Sequence, residues 1–305
     1  MKGAAMQKRR VIWLGTGAGL IIILIAGMLW FTRIQAVKLI TQPMRSRSLP
    51  KETPAAYKLP YSDIVVNSAD GLKLVGWYIP TKNGSLIILQ HGYKNNRAEM
   101  LNEADMLYRH GYGLLITAVR AHDYSEGERI TFGIDEMKDL EAFYQFVLTR
   151  PEVDPERIGI LGNSFGGMLA IHYASQNKKI RAVVTNSAFS SLSDTVETSI
   201  RFFTGLPPFP FAPLILFWGQ LQAGFRHRDI DATIWIRQIS PRPVFLMQGG
   251  ADTIISSSSG QKLFDAAGEP KELWYDPEIA HAQFDTLRKD EYERRVVAFF
   301  DQNLR

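Results

Sequence analysis

The hydrophobic and polar positions of this chain fall into three successive rhythms. Val11 to Phe31, VIWLGTGAGLIIILIAGMLWF, is an apolar run without a charged residue. At ~1.5 Å per residue its length matches the ~30 Å hydrocarbon core of a bilayer. Trp13 and Trp30 stand near its two ends, where indoles favour the interface. The segment is therefore expected to be a transmembrane helix, preceded by a short tail, residues 1–10. Residues 32–60 are polar, with Pro43, Pro50, Pro54 and Pro60, and read as a linker. From residue 61 to residue 305 short apolar runs alternate with amphipathic ones.

In that third region Asp63–Asn67 and Lys73–Ile79 are β-prone, and the intervening Asp70-Gly71 is a hairpin signal. Ser85–Gln90, Gly113–Val119, Arg157–Gly162, Arg181–Asn186 and Pro243–Gln248 are continuous apolar runs, the pattern of strands buried on both faces. Arg97–Arg109, Asp135–Leu148, Phe165–Ser175, Ser256–Ala267 and Ala282–Gln302 are helical in pattern. The alternation predicts an α/β fold, a mostly parallel central sheet with helices on both faces. Ser190–Ile239 interrupts it with phenylalanines and with Pro207, Pro208, Pro210 and Pro213. Its apolar stretches are too short and too broken for a second span. Residues 190–239 are expected to form a helical cap insertion that supplies an apolar pocket.

Charge refines this picture. Lys2, Lys8, Arg9 and Arg10 precede the apolar run, and Arg33, Lys38, Arg45, Arg47 and Lys51 follow it. Two basic clusters around an apolar stretch suit membrane lipid headgroups, and no nucleic-acid motif accompanies them. A cleaved signal peptide is the rival reading. The run exceeds the ~7–15 residues of a signal's apolar region and no A-x-A site follows, which favours an uncleaved anchor. Basic counts on the two sides are nearly tied; the short basic tail leans toward N-terminus inside and catalytic domain outside. The chain has no cysteine, which excludes disulfides, thiolate catalysis and cysteine-ligated metals.

The segment Gly162-Asn163-Ser164-Phe165-Gly166 carries the chemistry. It is a G-x-S-x-G between a predicted strand and a predicted helix. On so sharp a turn the serine hydroxyl projects outward, glycines leave room for crowded backbone, and the helix N-terminus places partial positive charge beneath the nucleophile. Ser164 needs a general base, and the base an orienting acid. In this setting the chain order is Ser, acid, His. Of six histidines, His281 alone follows every plausible acid, in a loop before the last helix. Asp252 follows an apolar strand through Gly249-Gly250, at the carboxyl end where such sheets place ligands. Asp276 and Asp194 are its competitors. The oxyanion hole is expected from the backbone N–H groups of Phe165 and of Tyr93, in Gln90-His91-Gly92-Tyr93, with His91 structural. No metal cluster, P-loop or dinucleotide fingerprint is present, so neither cofactor nor metal is expected.

With these motifs in place the chain resembles the α/β-hydrolase superfamily, and within it the bacterial serine-aminopeptidase-like (S33-type) and BEM46-like hydrolases. The resemblance runs from about Tyr61 to the C-terminus. It rests on His91-Gly92-Tyr93, Arg120-Ala121-His122, Gly162-Asn163-Ser164-Phe165-Gly166, Gly249-Gly250-Ala251-Asp252 and His281. Relatives often read Asp-x-Arg-Gly-His-Gly where this chain has Ala118-Val119-Arg120-Ala121-His122-Asp123, which implies a loop of different shape. Asn163 and Gln248 stand where relatives often carry histidine. The ordered set points to a serine hydrolase cleaving an ester, thioester or related acyl bond in a small-molecule or lipid-like substrate. Two alternatives stay open. One is a peptidase or amidase with the same triad, for which the cap's acids are few and scattered. The other is a non-catalytic membrane-bound binding module. Oligomeric state and acyl length do not follow from the sequence.

Overall fold

Strands β1 (Ser62–Asn67) and β2 (Lys73–Ile79) form the expected hairpin at one edge of a sheet. It continues through β3 (Leu86–Gln90), β4 (Gly113–Thr117), β5 (Ile158–Asn163), β6 (Ile180–Asn186), β7 (Val244–Gly249) and β8 (Lys271–Asp276). The spatial order is β1-β2-β4-β3-β5-β6-β7-β8, antiparallel at β1, β2 and β4 and parallel beyond. This computed structural model describes residues 2–305, and side chains from residue 16 onward. The side chains of the expected basic tail and of Val11–Gly15, Trp13 among them, lie outside the described residues.

Every residue of β3 is buried, because helices cover both faces of the sheet. Alternate side chains go to opposite layers. Leu86 and Ile88 lie in the layer that holds α3 (Glu136–Leu148), α4 (Phe165–Gln176) and α8 (Ser259–Ala266). Ile87 and Leu89 pack with α2 (Leu101–Arg109) and α10 (Lys289–Leu304). The expected last helix, Ala282–Gln302, is broken into α9 (Phe284–Leu287) and α10.

Helix α1 (Lys2–Ile40) runs beyond the expected end of the span at Phe31. The sequence offers no proline before Pro43, and Thr32, Ala36 and Ile40 recur every fourth residue as a buried stripe. That stripe belongs to the face packed on α6 (Pro208–Ala223), where the rings of Phe31 and Phe211 meet edge to face at 6.1 Å. The expected linker at 32–60 is thus helical in its first part and docked on the domain in the rest. Gln42 N–H donates to Glu128 O at 2.8 Å, and Ser48 Oγ accepts from Asn96 Nδ2 at 2.8 Å. Arg47, expected among headgroup-facing cations, instead donates to the carbonyls of Gln42, Ser125 and Gly127.

Between β6 and β7 the insertion folds as α5 (Leu192–Thr204), α6 and the short α7 (Ala232–Ile236). Ser191 caps α5 by accepting from Asp194 N–H, and Gly205 ends it in left-handed backbone. Helices α5 and α6 meet at a bend of 115°.

The segment after β4 keeps the left-handed backbone a glycine would take, although glycine is absent: φ is 60° at Ala121 and 52° at Asp123. Ion pairs fix it. Arg97 Nε donates to Asp123 Oδ2 at 2.8 Å. Arg120 bridges the buried Asp139, at 2.7 Å, and Asp70 of the first hairpin turn, at 2.8 Å.

Candidate active site

Ser164 joins β5 to α4 with φ 54° and ψ −116°, a sparsely populated conformation that costs about 1–3 kcal/mol. Two glycines make the turn possible. A Cβ on Gly162 would lie 2.2 Å from Gly166 O, and one on Gly166 would lie 2.2 Å from Gln90 O. Ser164 N–H is held by Asn186 O at 2.8 Å, which aims the side chain away from the sheet.

His281 reaches that side chain from the loop after β8. Its Nε2 lies 2.9 Å from Ser164 Oγ, and its Nδ1 lies 2.7 Å from Asp252 Oδ2. An ionised carboxylate only accepts, so Nδ1 carries the proton and Nε2 of the neutral ring accepts from the hydroxyl. Asp252 is buried at the end of β7; its Oδ1 accepts from Ile254 N–H at 2.9 Å and Ile255 N–H at 2.8 Å. Gln248 Nε2 adds a longer contact to Oδ2 at 3.4 Å, so the residue that departs from the familiar histidine touches the acid. The competing acids are engaged elsewhere. Asp276 pairs with Arg288 at 2.9 Å, and Asp194 with Lys262 at 3.1 Å.

The loop after β3 lies across from this group, and its amides divide into used and unused. Gly92 N–H donates to Glu99 Oε2 at 2.7 Å, and Lys94 N–H donates to His122 Nε2 at 3.0 Å. Between them, Tyr93 N–H has no acceptor among the described residues, and neither has Phe165 N–H. His91 donates from Nδ1 to Gly92 O at 2.8 Å, and burial lowers its imidazole to about 4, so the ring stays neutral. The Tyr93 ring stacks on Phe132 at 5.7 Å. The sequence reading missed Glu99 and Glu103, both deeply enclosed. Burial pushes the Glu99 carboxyl up to about 7, and it raises Glu103, whose Oε1 accepts from Asn163 Nδ2 at 3.0 Å. The available signal was spacing: Glu103 shares a helix face with Leu107, one turn on.

A family profile described as the α/β-hydrolase fold matches residues 85–228. The chain has the α/β-hydrolase fold. An esterase of Pyrococcus furiosus, Pf2001, superposes with a TM-score of 0.74 at 26% identity, over 88% of this chain and 99% of the esterase. Among curated proteins, YqkD of Bacillus subtilis is 26% identical over 240 residues, 78% of each chain. Rv2307c of Mycobacterium tuberculosis is 28% identical over 224 residues, 72% of each chain. Both relatives are uncharacterized. Fold and neighbours together support a hydrolase.

Within this fold a cavity of about 450 Å³ opens beside Ser164 and His281. Phe132, Phe189, Val196, Ile200 and Ile215 make most of its wall apolar, and Gln35, Lys38 and Leu39 of α1 close one side. Among the described residues Glu99 is the one carboxylate lining it. A shallower depression of about 960 Å³ lies between α3, α4 and the first hairpin, apart from Ser164.

Proposed function

We propose that this α/β hydrolase cleaves an ester, thioester or related acyl bond, with Ser164 as nucleophile, His281 as general base and Asp252 as orienting acid. The hydrogen-bond chain from Ser164 Oγ through His281 to the buried Asp252 carries the reading. Ser164 Oγ attacks the acyl carbonyl as its proton passes to His281 Nε2, and the Asp252 carboxylate stabilises the imidazolium. The oxyanion accepts from Tyr93 N–H and Phe165 N–H, each worth about 10²–10³ in rate. Collapse expels the alcohol or thiol, protonated by His281, and leaves an acyl-Ser164. Water, deprotonated by His281, then frees the acid and regenerates the serine.

An apolar cavity with one carboxylate favours an acyl group over a substrate carrying a free amine, which would need an acidic partner. The peptidase reading is therefore second. Helix α1 is read as a retained membrane anchor. The residues just past its apolar run, where a signal would be cut, are helical and packed on α6, and they wall the cavity.

The experiment is labelling with a fluorophosphonate, followed by turnover of short-chain esters. Wild-type protein should label at Ser164 and hydrolyse the esters; Ser164→Ala should do neither. Full turnover by the alanine variant would end the proposal.

A further inference from the structure

The insertion over the active site has a property its fold does not use. From Phe202 to Phe225 the chain carries no charged residue, with Arg201 and Arg226 as the flanking charges. In a water-facing element this stretch should bury its aromatics. Instead Phe202, Phe203, Phe217 and Leu221 are exposed, and Phe209 is 79% exposed. Large apolar side chains left exposed in such number on one short insertion mark an interaction surface.

Its surroundings specify what covers it. Helix α6 lies along α1, whose residues Leu20–Ile25 are themselves exposed and apolar. The first charge after Val11 on α1 is Arg33, followed by Lys38. Gln35, Lys38 and Leu39 line the cavity, so its α1 wall starts about 3 Å along the axis beyond Arg33. Phe203 and Thr204, at the bend between α5 and α6, line the same cavity. Along α1, apolar side chains that would sit in acyl chains are thus followed by Arg33 and Lys38 at headgroup depth and, from Gln35 on, by residues that wall the cavity holding Ser164.

We propose that the α5–α6 bend dips into the same leaflet that α1 enters, and that the cavity takes its substrate laterally from the bilayer. The substrate class is an amphiphilic long-chain ester. Its acyl chain passes from the leaflet between Phe203 and α1 to Ser164, while its polar head stays at the level of Arg33 and Lys38. Interfacial binding of this type scales with the apolar area buried and with attraction to anionic lipid. The inference rests on the acyl-hydrolase and anchor readings above.

The chain has no cysteine, so single labelling sites are clean. Full-length protein would be placed in phosphatidylcholine–phosphatidylglycerol nanodiscs with an environment-sensitive fluorophore at Phe209→Cys, Leu24→Cys or Lys289→Cys. Brominated phospholipid should quench the labels at 209 and 24 and spare the one at 289. In parallel, the double variant Phe202→Asp, Phe209→Asp should lose about tenfold or more in turnover of a long-chain ester embedded in the disc. Its turnover of a short soluble ester should match wild type. An unquenched label at 209 beside a quenched one at 24, or unchanged turnover of the embedded ester, overturns the inference alone. An unquenched label at 24 removes the anchor reading, and no Ser164-dependent turnover of the soluble ester removes the hydrolase reading. Either result overturns this inference as well. The cysteine label keeps the test decisive if the aspartate variant does not fold.

Discussion

Tyr93 donates its hydroxyl to the backbone carbonyl of Leu39 at 2.6 Å. The residue whose amide is left unused beside Ser164 is thereby tied to the end of the long N-terminal helix α1. Tyr93→Phe should keep the ring stacked on Phe132 and lose that single bond, costing about 0.5–1.5 kcal/mol of stability. Because the amide is untouched, kcat on a short ester should change by less than about threefold. A steeper fall in kcat than in stability would show that the Leu39 contact sets the geometry of the amide.

Asp252→Asn tests the assignment of the acid. An asparagine amide can donate to the imidazole and reverse its tautomer, leaving Nε2 protonated and unable to take the serine proton. Turnover should fall by about 10⁴-fold with little change in melting temperature. Asp276→Asn, which breaks only the contact to Arg288, should leave turnover near wild type. The reverse ranking in a steady-state comparison would reassign the acid.

The succession of strands and helices along the chain, and the three side chains that meet at Ser164, His281 and Asp252, were legible because each follows from local pattern. Apolar runs mark buried strands, and the G-x-S-x-G spacing is imposed by backbone crowding at Gly162 and Gly166. What was hidden depends on contacts between distant segments. Thr32, Ala36 and Ile40 look like the start of a linker until α6 supplies a partner for their stripe. Glu99 and Glu103 look like surface charges on an amphipathic helix. Arg120 looks like one more cation until folding brings Asp70 and Asp139 to it from fifty residues before and nineteen after.

That last junction should be costly to break. Asp139 is fully buried, and its carboxylate is compensated by Arg120 through paired contacts of 2.7 to 3.1 Å. Arg120→Ala would leave a buried charge without its partner, a loss of about 3–5 kcal/mol. Arg120→Lys should recover part of it, since one ammonium cannot span Asp70 and Asp139 together. Denaturant unfolding would measure both. Equal stability of the alanine and lysine variants would mean that charge contributes nothing there.

Glu103 gives the fold a pH dependence of definite sign. It is fully buried beside Asn163 and Tyr292, and burial raises its carboxyl above the ordinary 4.5. The folded state holds this proton at pH values where the unfolded chain has released it. The stabilisation is complete below about pH 4.5 and is lost as pH rises toward the folded value. Glu103→Gln mimics the neutral form at every pH and can still accept from Asn163 and Tyr292. Its melting temperature relative to wild type should therefore be flat below pH 4.5 and climb by several degrees between pH 5 and 8. Every other titratable group is retained in both proteins, so the difference between the two melting curves reports Glu103 together with its repulsion from Asp285 and Glu99. A difference that stays constant across the range would place the Glu103 carboxylate in its ionised form inside the fold.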